Sequence, residues 1–146
     1  MVKHIDLIHL AARQGANLAL FPELSQRLRT KAGGSIVLAP GICYESLQSS
    51  HAEQAAESGA QVYLASVAKS ERGVASAYSH YPTIAKKLSM TVLMANYVGA
   101  TDNFIAAGLS AIWNSDGEIV CSTDAFQEAL LAYNLQTGET GIFSVT

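Results

Sequence analysis

Cys43 lies at a point in the sequence where a thiol can act as a nucleophile. It follows an apolar run at residues 36–39 and precedes a helical pattern that begins near Ser49 or Ser50. A thiol on such a strand-to-helix turn is partly exposed and lies near the positive end of a helix dipole, which favours the reactive thiolate. The alternative is a buried structural thiol that packs like a small hydrophobic side chain.

Helix and strand patterns alternate around this turn over the first two thirds of the chain. The predicted helices cover residues 3–14, 50–59 and 75–88, and the predicted strands cover residues 17–21, 35–39, 61–68 and 91–96. Ser50 and Glu53 form a capping-box pattern at the start of the second helix, and Pro82 is expected to kink or delay the third. Residues 24–34 and 69–73 are polar, end in glycine and are predicted to be connections.

The last third of the chain has the turn chemistry of a strand meander. A loop is expected at residues 99–103, followed by strands at 107–113, 118–122 and 129–135, and by a weakly specified tail from Gln136. The Asn-Ser-Asp-Gly turn at residues 114–117 predicts a β-hairpin between the first two of these strands. Together the patterns predict one α/β domain over residues 1–146 with a mixed sheet.

The composition excludes several classes of partner. The chain has 146 residues, a net charge of −3 and 14% charged residues, against roughly 25% in an average soluble domain. This balance gives no electrostatic reason to expect nucleic acid or an anionic membrane as a partner. No apolar run has the length of a membrane span or a signal segment, so a cytoplasmic location is expected. The low charge favours a surface that a partner covers.

The remaining titratable residues give no second site. Four histidines, His4, His9, His51 and His80, are spread through predicted helices, and none has a second ligand at metal-site spacing. We therefore expect no metal and no cofactor. Cys121 lies in a predicted hairpin strand, where packing is the expected role, and a reducing compartment predicts that it and Cys43 are free thiols.

Several segments, taken in order, resemble the carbon–nitrogen hydrolase (nitrilase) superfamily. They are GANLALFPE at residues 15–23, GICYE at 41–45, GAQVYL at 59–64, MANYVG at 94–99 and GLSAIWNSDGE at 108–118. Each motif alone is weak, but their shared order and spacing make the resemblance specific from Ser35 to Val120. The resemblance implies the α-β-β-α sandwich of that family in an abbreviated form.

The resemblance also implies a set of catalytic residues. Cys43 would be the nucleophile, Glu23 the general base that takes the thiol proton, and the backbone N–H of Tyr44 one donor to the developing oxyanion. Glu45 occupies a position where the family usually has an acidic residue, and it would help to hold the site. The implied reaction is hydrolysis of a small amide or nitrile through a thioester-type intermediate, without a cofactor.

The chain departs from the family at the catalytic lysine. Glu23 and Cys43 are only 20 residues apart, whereas the family segment between the two residues is several times longer and carries the lysine. Lys31 or Lys69 could replace it, Lys69 being better placed at the end of a strand, or nothing replaces it. Losing one oxyanion donor typically lowers the rate about 100- to 1000-fold.

Three hypotheses of function follow from these observations. The first is a cysteine-dependent amidohydrolase. The second is a truncated, catalytically impaired relative that serves as a binding or assembly module, associating as a homo-oligomer through surface that the missing segment would cover. The third is a doubly wound nucleotide-binding domain, which the chain disfavours because it has neither G-x-G-x-x-G nor a Walker-type lysine loop.

Overall fold

The computed structural model describes residues 2–16, 19–20 and 36–144. Its helices are α1 (Val2–Arg13), α2 (Ser49–Glu57) and α3 (Glu71–Leu88), with a 3-10 helix at Glu45–Leu47. Its strands are β1 (Leu38–Ile42), β2 (Val62–Val67), β3 (Thr91–Asn96), β4 (Val98–Ala100), β5 (Ile105–Ala107), β6 (Ala111–Trp113), β7 (Ile119–Ser122), β8 (Ala129–Tyr133) and β9 (Thr140–Ser144).

Five of the described strands form one mixed sheet in the order β1-β2-β3-β6-β7. The pairs β1–β2 and β2–β3 are parallel, while β3–β6 and β6–β7 are antiparallel. Every residue of β2 is buried, as its uninterrupted apolar sequence VYLASV predicts for a central strand covered on both faces. The expected α/β fold with a mixed sheet is therefore confirmed.

Helices α2 and α3 bury small and aromatic side chains on the sheet. The buried residues of α3 recur at helical spacing and are Val74, Ala77, Tyr81, Ile84 and Ala85. Helix α2 contributes Ala52 and Ala55 to the same core. Tyr81 packs against Trp113 of β6 with ring centroids 5.5 Å apart. The core is therefore centred on β2, β3 and β6, directly behind the turn that carries Cys43.

Strand β1 differs from the expected strand at residues 35–39. It begins at Leu38 and continues through Pro40 to Ile42. Proline has no N–H to donate, so it is tolerated at the edge of a sheet. Among the described strands β1 is at the edge, with β2 as its partner there. This shift places Cys43 immediately after the strand.

The starts of both later helices also differ from expectation. The residue capping α2 is Gln48, and no side-chain hydrogen bond caps the helix, so the predicted capping box of Ser50 and Glu53 is wrong. Glu53 instead forms an ion pair of 2.8 Å with Lys87 of α3. Helix α3 begins at Glu71, four residues earlier than predicted, because Ser70 caps it by accepting a hydrogen bond from the Gly73 N–H at 3.4 Å.

Pro82 neither ends nor delays α3, which continues through it to Leu88. The prediction of residues 69–73 as a loop therefore holds only for the two residues before the helix. Helix α1 ends as predicted: Gly15 adopts a left-handed φ of 74°, and the Ala16 N–H donates to the Ala11 carbonyl at 3.0 Å.

The C-terminal third contains more strands than its sequence predicts. The predicted hairpin is confirmed as β6–β7. The expected loop at residues 99–103 is instead part of the β4–β5 hairpin, the expected strand at 107–113 is divided between β5 and β6, and the tail forms β9, which pairs with β8. The expected strand at residues 17–21 lies largely outside the described residues, and Ala19 and Leu20 are in neither helix nor strand.

Candidate active site

Cys43 lies on a sharp turn between β1 and the 3-10 helix. Its φ is 49°, a left-handed conformation that is unfavourable for residues with a side chain. Its backbone N–H donates to the carbonyl of Ser66 in β2 at 3.0 Å, which ties the turn to the neighbouring strand. Tyr44 returns to helical geometry with φ −61° and ψ −41°. The expected strand-to-helix turn is present, with the 3-10 helix between Cys43 and α2.

Two side chains from the 3-10 helix bind the backbone of this turn. The Glu45 carboxylate accepts a hydrogen bond from the Ile42 N–H at 2.7 Å. The Ser46 hydroxyl donates to the Cys43 carbonyl at 2.6 Å, and the same hydroxyl is 2.7 Å from the hydroxyl of Tyr81 in α3. Ser46 is fully buried. The turn is thus held from both sides by side chains that follow it closely in the sequence.

Gly41 allows the chain to pass close to Tyr63. A Cβ at Gly41 would lie 2.5 Å from the Tyr63 hydroxyl and 3.1 Å from the Ser46 Cα, so any larger residue would displace the site. The Tyr63 hydroxyl in turn is 2.7 Å from His51 Nδ1. Burial, with a smaller contribution from neighbouring Tyr81 and Glu45, raises the pKa of Tyr63 well above its ordinary value. Its hydroxyl therefore stays protonated at neutral pH.

Tyr44 presents its backbone N–H next to Cys43. Its side chain is 76% exposed, so the residue faces solvent. Within the described residues, the Tyr44 N–H has no hydrogen-bond acceptor, whereas the Cys43 N–H is already bonded to Ser66. Of the two N–H groups at this turn, that of Tyr44 is the one available to a ligand.

Lys69 lies at the same edge of the sheet as Cys43. In the parallel β1–β2 pair Ile42 is opposite Ser66, so Cys43 and Lys69 both follow the carboxyl ends of neighbouring strands. Carboxyl ends of adjacent parallel strands are a common location of ligand sites in α/β folds. Lys69 is only 8% exposed. It is therefore a buried lysine at the same edge of the sheet as the Cys43 turn.

Asn96, at the end of β3, fixes the backbone of Lys69. Its side-chain oxygen accepts from the Lys69 N–H at 2.7 Å, and its side-chain nitrogen donates to the Lys69 carbonyl at 3.2 Å and to the Gly108 carbonyl at 2.6 Å. Asn96 is 3% exposed, so these bonds form away from water. No local sequence pattern indicates this role for Asn96, although the residue ends a strand at the same edge as Cys43 and Lys69.

His80 lies beneath the turn, on α3. Burial lowers the pKa of His80, and so does the charge of Lys69, while an interaction with the backbone of Ser46 acts in the opposite direction. Its Nε2 is buried and has no partner among the described residues. Burial and the charge of Lys69 thus both disfavour the charged form of the imidazole.

Other predicted residues are outside this cluster. Glu23 and Lys31 lie outside the described residues. Cys121 and Cys43 are both thiols. The Cys121 thiol is 3.9 Å from the Gly141 carbonyl, and burial raises its pKa, as befits a packing residue. In the described ranges, no three His, Cys, Asp or Glu side chains come together as a metal site. Nor does any described helix combine the length and the apolar character that crossing a bilayer requires.

A family model identifies the class of protein to which this fold belongs. The family model for carbon–nitrogen hydrolases matches residues 26–142, which is well over half of the chain. The protein therefore belongs to the carbon–nitrogen hydrolase family, the nitrilase superfamily. A comparison with curated proteins returns no match.

Solved structures of this superfamily share the fold. The NitN amidase of Nesterenkonia sp. AN1 aligns with a TM-score of 0.61 and 18% identity, over 90% of this chain and 49% of its own. Saccharomyces cerevisiae Nit3, a member of branch 10 of the superfamily, aligns with a TM-score of 0.58 and 18% identity, over 69% of this chain and 40% of its own. A double mutant of the Nesterenkonia amidase in complex with acrylamide aligns with a TM-score of 0.58 and 20% identity, over 74% of this chain and 38% of its own. The chain thus spans less than half the length of these structures.

Proposed function

We propose that this chain is a cysteine-dependent hydrolase of a small amide or nitrile. The observation that carries the proposal is the left-handed turn, which places the Cys43 thiol and the Tyr44 N–H next to each other at the carboxyl edge of the sheet. Family membership supports the substrate class, and so does the related Nesterenkonia amidase, which is known in complex with acrylamide. In this proposal residues 1–146 act as a single domain.

The reaction begins with the Cys43 thiolate, after Glu23 has taken its proton. Sulfur forms a bond to the amide carbon, and the carbonyl π electrons move to oxygen, where the Tyr44 N–H stabilises the negative charge. When the oxyanion collapses, the carbon–nitrogen bond breaks, and Glu23 returns its proton to the departing amine. Water then attacks the thioester, releases the carboxylic acid and restores the thiol. A nitrile would follow the same path through a thioimidate that water hydrolyses.

Lys69 is our proposed replacement for the family lysine. It is buried at the same edge as Cys43, its backbone is fixed by Asn96, and its charge already lowers the pKa of His80. A cation held in this way supplies electrostatic stabilisation without reorganisation when the oxyanion forms. Lys69→Met should therefore slow acylation about 100- to 1000-fold, the usual effect of removing one oxyanion-stabilising group.

Single-turnover acylation tests the proposal directly. Protein is mixed with a small amide such as butyramide, and mass spectrometry of intact protein and peptides follows acyl transfer to Cys43 with loss of ammonia. Cys121→Ser should retain the adduct, because that thiol lies outside the site, while Cys43→Ala should lose it. Glu23→Gln should slow its formation. An unmodified wild-type protein, or equal modification of Cys43→Ala, would refute the hydrolase.

The alternative is a catalytically impaired relative that serves as a binding or assembly module. Large apolar side chains on the described surface favour it: Phe126 is 89% exposed, Ile105 74% and Ile142 56%. Exposed apolar surface of this kind is often covered in an assembly. Light scattering at micromolar concentration should then show a homo-oligomer, and association should weaken in Phe126→Ser. A stable wild-type monomer would count against this alternative.

A further inference from the structure

We infer that Ser46 and Tyr81 are positioning residues that aim the Tyr44 N–H at the substrate oxygen. The inference rests on the proposed function, because the aim of that N–H matters only if an oxyanion forms beside Cys43. Neither residue touches the reacting atoms. They act through the peptide group that joins Cys43 to Tyr44.

The peptide group between Cys43 and Tyr44 contains both the carbonyl that Ser46 binds and the N–H that would face the substrate oxygen. In a trans peptide the C=O and the N–H point in opposite directions. The Ser46 hydroxyl holds the Cys43 carbonyl towards the protein interior at 2.6 Å. The Tyr44 N–H must therefore point away from the interior, and in the described part of the chain it has no acceptor. Removing the Ser46 hydroxyl frees the peptide group to rotate and turns the N–H away.

The direction of the hydrogen bonds shows what Tyr81 contributes. A serine hydroxyl has one proton, and here it is used on the Cys43 carbonyl. At the 2.7 Å contact between the two hydroxyls, Tyr81 must therefore be the donor and Ser46 the acceptor. Burial raises the pKa of Tyr81 to about 12, with the hydrogen bond to Ser46 acting against it and charge at Cys43 adding to it. Tyr81 thus remains a donor through the physiological pH range.

The φ of 49° at Cys43 explains why such a support is needed. A residue with a side chain leaves the left-handed region readily unless its surroundings hold it there. The Cys43 N–H is bonded to Ser66 on one side, and the Cys43 carbonyl to Ser46 on the other. Both peptide groups of the nucleophile are therefore fixed, the second of them by the pair formed by Ser46 and Tyr81.

Tyr78 provides a matched control on the same helix. Like Tyr81 it packs against Trp113, with ring centroids 5.1 Å apart. Its hydroxyl donates to the backbone carbonyl of Leu109 at 2.9 Å, and Leu109 has a φ of 54°, similar to that of Cys43. Among the described residues, no hydrogen bond joins Tyr78 to the Cys43 turn. Tyr78→Phe and Tyr81→Phe therefore remove the same atom from similar surroundings, and only the second change should reach the oxyanion site.

The test compares three reactions of Cys43 in the full chain. Acylation by butyramide and reversible addition of butyraldehyde both place a carbonyl oxygen beside the Tyr44 N–H; the aldehyde forms a thiohemiacetal, with a new carbon–sulfur bond and the thiol proton passing to oxygen. Alkylation by iodoacetamide displaces iodide and forms no oxyanion. A residue that only stabilises the fold would affect all three reactions alike.

Ser46→Ala should weaken acylation and aldehyde binding about 10- to 100-fold, while alkylation changes less than about threefold. This expected loss is smaller than the roughly 100- to 1000-fold effect of removing an oxyanion donor, because the Tyr44 N–H is turned away and not removed. Tyr81→Phe should have a smaller effect of the same kind. The double variant should match Ser46→Ala alone, because Tyr81 acts through Ser46. Tyr78→Phe should match the wild type in all three reactions.

Two outcomes would overturn the inference: unchanged aldehyde binding in Ser46→Ala, or equal losses in alkylation and aldehyde binding. Trp113 fluorescence shows whether Ser46→Ala is folded. If that variant folds poorly, Tyr81→Phe, which removes only one atom, provides the test. The two proposals can fail separately. A wild type that forms no acyl adduct, but whose aldehyde binding depends on Ser46, refutes the hydrolase and supports the inference. If the wild type forms the adduct and Ser46→Ala forms it equally well, the hydrolase is supported and the inference is refuted.

Discussion

Asn96→Asp should destabilise the protein strongly, although the two side chains have nearly the same shape. The Asn96 amide donates two hydrogen bonds, to the carbonyls of Lys69 and Gly108, at 3.2 and 2.6 Å. A carboxylate can donate neither, and it would place a charged oxygen against two carbonyl oxygens in a site that is only 3% exposed. Two lost bonds at about 1 kcal/mol each, with a buried acceptor left unsatisfied, give a loss of roughly 3–5 kcal/mol in the free energy of unfolding at neutral pH.

The loss should depend on pH in a defined direction. A protonated aspartic acid has one O–H donor, which can serve the nearer carbonyl, that of Gly108, so the acid form loses about 1 kcal/mol. The folded protein therefore favours the protonated form and raises the pKa of the new carboxyl above its unfolded value of about 3.9. A group with a raised folded pKa contributes stability below the unfolded pKa, and that contribution disappears as pH rises through the folded pKa. A difference of 2–4 kcal/mol between the two forms corresponds to a pKa raised by roughly 1.5–3 units, since one unit is about 1.4 kcal/mol. The penalty should therefore grow from about pH 4 to about pH 6 or 7.

Urea unfolding followed by Trp113 fluorescence measures this effect, because Trp113 is the single tryptophan and is 2% exposed. Wild type and variant are compared at each pH between 4 and 8. Asn134→Asp is the control: its exposed side-chain oxygen accepts from the N–H groups of Gln136 and Thr137 at 2.9 and 3.1 Å, which a carboxylate can also do. It should change stability by less than about 0.5 kcal/mol. A penalty below about 1 kcal/mol at pH 8 in Asn96→Asp, or one that does not vary with pH, would show that the reasoning is wrong.

Three further predictions concern backbone positions, and urea unfolding checks each of them. Cys43→Gly should be more stable than Cys43→Ala by about 1 kcal/mol, because both lack the thiol and only alanine strains the left-handed turn; equal stabilities would contradict this. Gly41→Ala should lose about 1–3 kcal/mol, since its Cβ would meet the Tyr63 hydroxyl at 2.5 Å. Combining it with Tyr63→Phe should recover part of that loss, and no recovery would argue against the clash. Gly117→Ala should lose about 2–4 kcal/mol, because its φ is 80° and its Cβ would lie 2.5 Å from the Pro82 carbonyl.

The central strands could be predicted from sequence because one local signal determines each of them. Strand β3 matches its predicted bounds, and β2 lies within them, since continuous apolar runs of this length occur in buried parallel strands. The start of α3 differs from expectation because Gly73 suggests a loop. In the structure a Cβ at Gly73 would lie 3.1 Å from the Lys69 Cβ, so this glycine permits close packing in the first turn of a helix. A sequence cannot distinguish the two uses of glycine without the tertiary contact.

The candidate site likewise contains residues that a local pattern indicates and residues that only tertiary contacts reveal. Cys43 and Tyr44 could be identified from the motif, and Ser46, three residues later, has the spacing at which serine often bonds a nearby backbone carbonyl. Tyr81 and Asn96 could not, because Tyr81 is 35 residues from Ser46 and Asn96 is 27 residues from Lys69. Their partners are decided by how α3 and β3 pack, which no local pattern encodes. The candidate residues on the turn itself can thus be read from sequence, while Tyr81 and Asn96, which reach it from other elements, cannot.

Backbone strain bears on the choice between an enzyme and an assembly module. Within the described residues, positive φ occurs outside glycine at Cys43, Ser89 and Leu109. Ser89 ends α3, where a left-handed residue is common, so its conformation has a structural reason. Cys43 directly follows strand β1, and holding a residue with a side chain in this region costs about 1–2 kcal/mol. A glycine would make the same turn without that cost. An assembly module has no use for the thiol there, whereas a hydrolase needs the thiol to project from a turn that also offers the Tyr44 N–H. The strained position of Cys43 therefore favours the hydrolase.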